Sequence, residues 1–284
     1  MKTKLLAGLI FLGLFAILTL PAAQGAAPDP TQAGIITAAR VRGDVVVIDN
    51  VTKVKTPLQN NMKISQGSTV LTAKGGSVVL IFYNGAAINL ATDSSLDIQQ
   101  FTMDPFAGKP DPNATDEPTR STTKLNLTHG ELVGKVAKLH RDQGSSFSVS
   151  TPVGAAGIRG TVFRIVYRPD GTGKAFFSMT TLEGNVEVSL NTTGSVTAPV
   201  SVTDNKEVAV SVDVTQDPVT GASTVTLSTG QTFTVDTAPA ASTQSIAAAN
   251  QLIAQTVLDA VTSPPAQPPP PSTPPIQTTP AAGG

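Results

Sequence analysis

Two histidines are the side chains of this sequence best placed to move protons near neutrality, and no cysteine accompanies them. His129 and His140 stand eleven residues apart, which is not the i, i+4 spacing that sets two imidazoles on one helical face around zinc. A serine triad needs a histidine oriented by a carboxylate. Asp142 lies too close to His140 along a polar run for that geometry, and no G-x-S-x-G is present. The acidic stretch Asp111-Pro112-Asn113-Ala114-Thr115-Asp116-Glu117 offers oxygen ligands but lacks the D-x-[DN]-x-[DN]-G order and the distant bidentate glutamate of a calcium loop. Glycoside hydrolysis needs two facing carboxylates. Asp97, Glu131, Glu183 and Glu187 fall in strand or turn settings with no evident pairing. The small-residue run Val153-Gly154-Ala155-Ala156-Gly157 ends without the Lys-Ser/Thr that completes a phosphate cradle. His129 therefore reads as a surface residue of a hairpin turn before Gly130, and His140 as a surface residue of a polar loop. The expectation is no catalytic residue, no cofactor and no metal; an enzyme acting on polysaccharide is the weakest alternative.

The elements around these residues are short runs of β-branched side chains bounded by Gly, Asn and Asp turns, the pattern of an all-β domain. Ala39–Ile48 reads as one strand with a turn or bulge at Gly43. Ser77–Tyr83 is the most apolar strand after the leader. Asn84-Gly85 is a hairpin signal with two positions that tolerate positive φ. Prolines 105, 110, 112 and 118 remove ladder donors between 102 and 120, which predicts an exposed loop inserted between strands. Strands resume over 124–136, with the turn at His129-Gly130, and run to Ser189. Residues 191–236 hold further short strands that either complete the same sheets or form an appended unit. Half-buried alternating strands need a facing layer, so the architecture expected is a two-sheet β-sandwich or roll, with a β-solenoid as the alternative.

The sharpest motif is Thr151-Pro152-Val153-Gly154-Ala155-Ala156-Gly157-Ile158-Arg159-Gly160-Thr161. Phe147 and Val149 lead in, a small-residue crossing follows, and the strand Val162–Tyr167 leads out. Arg159 presents a fork of donors suited to a carboxylate; it either meets an anionic partner or pairs within the fold while Gly157 and Gly160 permit a tight crossing. With the trailing Glu183-Gly184-Asn185-Val186-Glu187-Val188, and with Gly67–Thr72 and Tyr83-Asn84-Gly85 upstream, this region resembles the FecR domain of bacterial envelope proteins over about residues 40–190. The resemblance implies an all-β, extracytoplasmic module without catalytic residues, whose signature here is Thr151, Pro152, Arg159, Gly160 and Thr161. In the best-known members the domain belongs to a membrane-spanning regulator that relays the state of an outer-membrane transporter to a cytoplasmic sigma factor. Only Met1–Lys4 precede the first apolar run here, so a cytoplasmic sigma-binding region is not expected.

The ends differ in composition. Residues 1–25 read as a secretory signal peptide: Lys2 and Lys4, then Leu5–Leu20, then Pro21 and Ala23-Gln24-Gly25 at the cleavage subsites. Sixteen residues fall short of the ~20 of a membrane span, so cleavage is expected, leaving no stable span. Residues 36–190 form the FecR-like domain. Residues 242–262 read as a short helix, with Ile246, Ile253, Val257 and Val261 near helical period. Residues 263–284 are a proline-rich tail expected to be disordered or polyproline II. Without Lys2 and Lys4 the chain carries about −3, aromatics are 4%, and no basic run exists, which argues against nucleic acid. The function expected is a non-enzymatic binding or scaffolding module of the cell envelope, secreted or periplasmic, meeting a protein or glycan. The alternative is an envelope signal-sensing component.

Overall fold

A computed structural model describes residues 32–108, 111, 114–192, 195–216 and 223–262. The expected leader at 1–25 and proline-rich tail at 263–284 lie outside the described residues. In chain order the strands begin β1 (Gln32–Ala33), β2 (Ile36–Arg42), β3 (Val45–Asp49), β4 (Lys55–Pro57), β5 (Lys63–Ile64), β6 (Ser68–Thr72) and β7 (Ser77–Phe82). They continue β8 (Ala87–Leu90), β9 (Ser94–Met103), β10 (Ser121–Lys135), β11 (Ser146–Thr151), β12 (Gly154–Ile158), β13 (Val162–Pro169) and β14 (Lys174–Glu183). The last are β15 (Asn185–Thr192), β16 (Ser195–Val196), β17 (Val200–Thr203), β18 (Lys206–Gln216), β19 (Ser223–Leu227) and β20 (Asp236–Thr237), before helix α1 (Ala240–Thr262).

The pairings define two open sheets. The first runs β4-β3-β6-β9-β10-β11-β12-β15-β17, and the second β5-β2-β7-β8-β10-β13-β14-β18-β19. Both grow in the direction of the chain, because hairpins are laid alternately into one layer and then the other. Their neighbours are antiparallel except β10 and β11, which run parallel in the first sheet, and the two sheets face each other, which makes the described body a sandwich. Strands β17 and β18 extend the same two sheets.

Strand β10 belongs to both layers. Its first half pairs β9 and β11, and its second half pairs β8 and β13. The turn expected at His129-Gly130 is therefore not a hairpin. It is a bend within a 15-residue strand. Gly130 takes φ +99 there, a conformation open to glycine and costly to other residues. The single strand expected at 39–48 is likewise two strands in different sheets, divided at Gly43 with φ +61. At Asn84-Gly85 only Gly85 has positive φ, +86. Gly85 N–H donates to the Phe82 carbonyl, and Phe82 N–H to the Ala86 carbonyl, so a G1-bulge turn replaces the two-residue mirror turn. The small residues 154–157, expected as a crossing, form strand β12. Gly154 admits the Ser189 carbonyl where a Cβ would stand 2.5 Å from its oxygen.

The core lies between the sheets. Phe82 of the second sheet meets Phe101 and Phe147 of the first edge-on, with centroids 5.1 and 6.3 Å apart. Val70, Leu96, Leu127, Leu80, Ile88, Phe163, Ile165, Met179 and Val208 are fully buried around them. The second sheet has a third layer on its outer face. Ile253 and Val257 of α1 pack on Val79, Ile81 and Ala87, and Ile246 packs on Val133 and Val162. This explains why β7 reads as a continuous apolar run: Val78, Leu80 and Phe82 face the sandwich while Val79 and Ile81 face the helix. Each of the three helix anchors contributes about 1.5–3 kcal/mol by burial.

Two exposed turns are held by aspartates. Asp49 accepts from Thr52 and Val51 N–H at 2.7 and 2.9 Å, and Asp170 accepts from Thr172 N–H and hydroxyl at 2.8 Å each. These bonds, led by the backbone donors of Thr52 and Thr172, lower both carboxyls below the usual 3.8. A depressed folded value means the stabilisation is complete above 3.8 and is lost as pH falls through the folded values. Amide resonances of Thr52 and Thr172 are therefore expected to move together with these carboxyls in an acid NMR titration, below the range of ordinary aspartates.

Candidate functional site

The signature residues form a joint between the sheets. Thr151 ends β11 and builds the turn into β12: its Oγ1 accepts from Val153 and Gly154 N–H at 3.3 and 3.2 Å. Pro152 occupies the exposed corner of that turn. Arg159 follows β12 and forms an ion pair with Glu187 of the neighbouring β15, both side chains about one-third exposed. Gly160, at φ +68, carries the chain across to β13, passing so close to Gly184 that a Cβ on the latter would lie 2.5 Å from the Gly160 carbonyl. Thr161 is buried, and its carbonyl accepts from Val136 N–H at 2.9 Å. Gly157 leaves its Cβ position nearly open, with only the Glu187 carbonyl at 3.9 Å, so it is not the crossing point. This arrangement uses Arg159 internally. Arg159→Ala is expected to cost at most about 1 kcal/mol, the worth of a half-exposed pair, and to leave partner capture unchanged; thermal melting and a pull-down check the two halves.

The proline-rich loop is anchored rather than free. Glu117, expected within an acidic solvated segment, is 2% exposed. Its carboxylate accepts from the Ser121 hydroxyl and from His140 N–H, both at 2.6 Å. His140 Nε2 lies 2.9 Å from the Glu117 carbonyl, which can only accept, so that nitrogen carries the proton. Ser121 in turn accepts from Asn84 Nδ2 at 3.0 Å. His140 is therefore a half-buried brace, not a surface residue. Asp116 accepts from the Thr115 hydroxyl instead of closing a calcium cage. Among the described residues no group of three His, Asp or Glu side chains is placed to hold a metal.

The remaining carboxylates named from sequence are dispersed. Asp97 accepts from Asn50 Nδ2 at 2.7 Å. Glu131 holds two guanidiniums: Arg164 through Nε and Nη2 at 2.7 and 3.0 Å, and Arg168 through Nη2 at 2.8 Å. One carboxylate facing two cations leaves a positive charge uncompensated, and Arg168 is the exposed member at 61%, against 16% for Arg164.

Arg168 opens onto a place where charged groups converge on free space. A groove of about 630 Å³ lies at the bend of β10, lined by Lys74, Thr92, Asp93, Thr128, His129 and Arg168. These come from the β6–β7 turn, the β8–β9 turn, the bend and the end of β13. On the other side of His129 a smaller, mainly apolar cavity of about 290 Å³ is lined by Val46, Leu71, Thr72 and Ser94. The registers Val46↔Leu71, Leu71↔Ser95 and Ser95↔His129 place one cross-strand row beside it. The volume of the groove lies within the 300–1,000 Å³ range of ligand clefts. Its hydroxyls, two fixed cations and one carboxylate suit polar contact, and no nucleophile–base pair is formed there. His129, read from sequence as an isolated surface residue, is half-buried at the centre of this feature. The groove had no contiguous sequence signal, because its walls come from four separate segments; the turn residues Lys74-Gly75, Thr92-Asp93 and Gly130 were the traces of it.

Residues 68–187, from β6 into β15, match the family described as "FecR protein", so this segment is a FecR domain. The match spans less than half of the chain; strands β1–β5 and β17–β19 extend the same sheets outside it. A search of curated proteins finds no match. Two crystal structures of a candidate anti-sigma factor from Parabacteroides distasonis, at 1.65 and 2.50 Å, share 14% identity with this chain at a TM-score of 0.34. Each match covers 56% of this chain and 59% of that one. No helix among the described residues is long and apolar enough to cross a membrane.

Proposed function

We propose that this protein is a non-enzymatic, extracytoplasmic binding module that takes part in envelope signalling, and that the groove at the β10 bend is where an envelope protein or glycan is received. The FecR domain supports a regulatory rather than a catalytic role. The observation that carries the choice of surface is Arg168: it shares Glu131 with Arg164, keeps an unbalanced charge, and faces a groove walled by four segments. A sensing component is favoured over a passive scaffold, because the groove sits where both sheets are joined and occupancy there reaches both layers. No sigma-binding segment enters this reading.

Arg168→Glu is the test. The residue is largely exposed, so the stability change expected is within about 1 kcal/mol. Capture of an envelope protein or glycan by the tagged chain is expected to fall at least tenfold, while Arg159→Ala retains it. Equal capture by Arg168→Glu and the unaltered chain would overturn the assignment of the groove.

A further inference from the structure

The groove at the β10 bend and the apolar cavity beside it form one track. Its walls pass from one to the other between neighbouring residues: Ala73 lines the cavity and Lys74 the groove, Ser94 the cavity and Asp93 the groove, and His129 lines both. The row Val46, Leu71, Ser95, His129 crosses four strands, about 14 Å at 4.7–4.9 Å per strand gap. The two ends differ in chemistry. At the groove end Lys74 has no ion-pair partner among the described residues, and Arg168 shares Glu131 with Arg164. With Asp93 included, three cations meet two carboxylates there. At the other end Val46, Leu71 and Ala73 make the cavity apolar, and Asp44 is the one carboxylate on its lining. The cavity of about 290 Å³ has room for an aromatic ring, since about 150 Å³ is enough to hold benzene. Between the ends stands the His129 ring, whose nitrogens make no hydrogen bond among the described residues, unlike the ring of His140.

We infer that the occupant of this track is an extended peptide segment of a partner protein, carrying one acidic side chain and, two residues away, one large apolar side chain. This rests on the groove as the receiving surface and narrows its partner to a protein. The acid meets Lys74 and Arg168, where the cationic excess lies, and the apolar side chain fills the cavity beyond His129. Side chains two apart in an extended chain point the same way, so both enter the track while the residue between them faces outward. An acidic glycan fits less well. It repeats its carboxylates along its length, sets one against Asp44 where like charges oppose binding, and leaves the cavity without an apolar filler.

The chain has two histidines, so NMR of their ring protons reads the track directly. The probes are the capped peptides acetyl-Gly-Phe-Ser-Asp-Gly-amide and acetyl-Gly-Asp-Ser-Phe-Gly-amide, the tighter of the two with Phe replaced by Ser or Asp by Asn, and trigalacturonate. Each is titrated into the full-length chain to about 5 mM, a range that reads millimolar affinities. The tighter peptide is expected to move His129 and leave His140, whose ring is engaged with Glu117, in place. It is expected to bind about fivefold or more tightly than its Ser version, its Asn version and trigalacturonate. Ala73→Leu fills the cavity from an exposed position and is expected to erase the advantage over the Ser version while keeping that over the Asn version. The inference is overturned if neither peptide moves His129, if either replacement leaves the affinity unchanged, or if trigalacturonate binds as tightly as the peptide. Any of these together with loss of capture by Arg168→Glu removes the peptide alone and keeps the groove; capture indifferent to Arg168→Glu removes the groove itself.

Discussion

Gly130→Ala is expected to destabilise the protein by about 2–6 kcal/mol, combining a left-handed backbone penalty of ~1–3 kcal/mol with overpacking of ~1–3 kcal/mol. The backbone at 130 holds φ +99, and an added Cβ would stand 2.1 Å from Ser94 Oγ and 2.5 Å from Ser94 Cα. Ser94 cannot withdraw. It is fully buried, Thr72 Oγ1 accepts its N–H at 3.0 Å, and its own Oγ accepts from Glu131 N–H at 3.0 Å. Ser94→Ala removes the hydroxyl but not the Cα, so the double variant is expected to remain unstable. Because β10 is shared by both sheets, the loss is expected as a single cooperative shift of the urea midpoint with an unchanged m value. A change below 1 kcal/mol would show that the bend is not what joins the layers.

Glu117→Ala is expected to cost about 3 kcal/mol, since it removes two bonds to a charged acceptor and strands their buried donors. The Ser121 hydroxyl and His140 N–H both lose a partner held at 2.6 Å, and Ser121 also carries the bond from Asn84. The effect should spread from the loop to the β7–β8 hairpin. Glu117→Gln keeps an acceptor for His140 N–H and is expected to recover more than half of the loss. Hydrogen exchange at Ser121 and His140 reads the local part, and chemical denaturation the global part. Equal losses for the Ala and Gln variants would mean that the side-chain volume, not the hydrogen bonds, braces the loop.

Local patterning made the fold legible. Alternation in β6 and β9 reports one buried face and one wetter face, and the doubly apolar β7 reports a second buried face, although not which element covers it. Ile246, Ile253 and Val257 carry the helical period that supplies the cover. What was not legible depends on contacts distant in sequence. A glycine with positive φ looks the same in a hairpin as in a strand that changes sheet, so Gly130 read as a turn. Small residues look the same in a crossing as in a strand squeezed between two others, so Gly154–Gly157 read as a crossing. Glu117 and His140 are 23 residues apart, and neither polarity nor spacing announces that they are buried together.

The same distinction applies to the site. Arg159 drew attention because its motif is contiguous, and it turns out to be engaged with Glu187, which stands opposite Gly157 in the ladder. Arg168 drew none, because its importance comes from sharing Glu131 with Arg164 and from facing turns that lie about 75 and 94 residues upstream in the chain. Signature motifs report what the backbone requires; charge imbalance at a surface emerges only when the strands are in register.

The most direct measurement places a photo-crosslinking side chain at Thr128, on the wall of the groove, and in a separate chain at Ser201, on the exposed face of β17. Illumination in envelope preparations should give one discrete adduct from position 128, none from 201, and loss of the adduct when Arg168→Glu is added. Indistinguishable adducts from both positions, or an adduct at 128 indifferent to Arg168, would contradict the groove as the receiving surface.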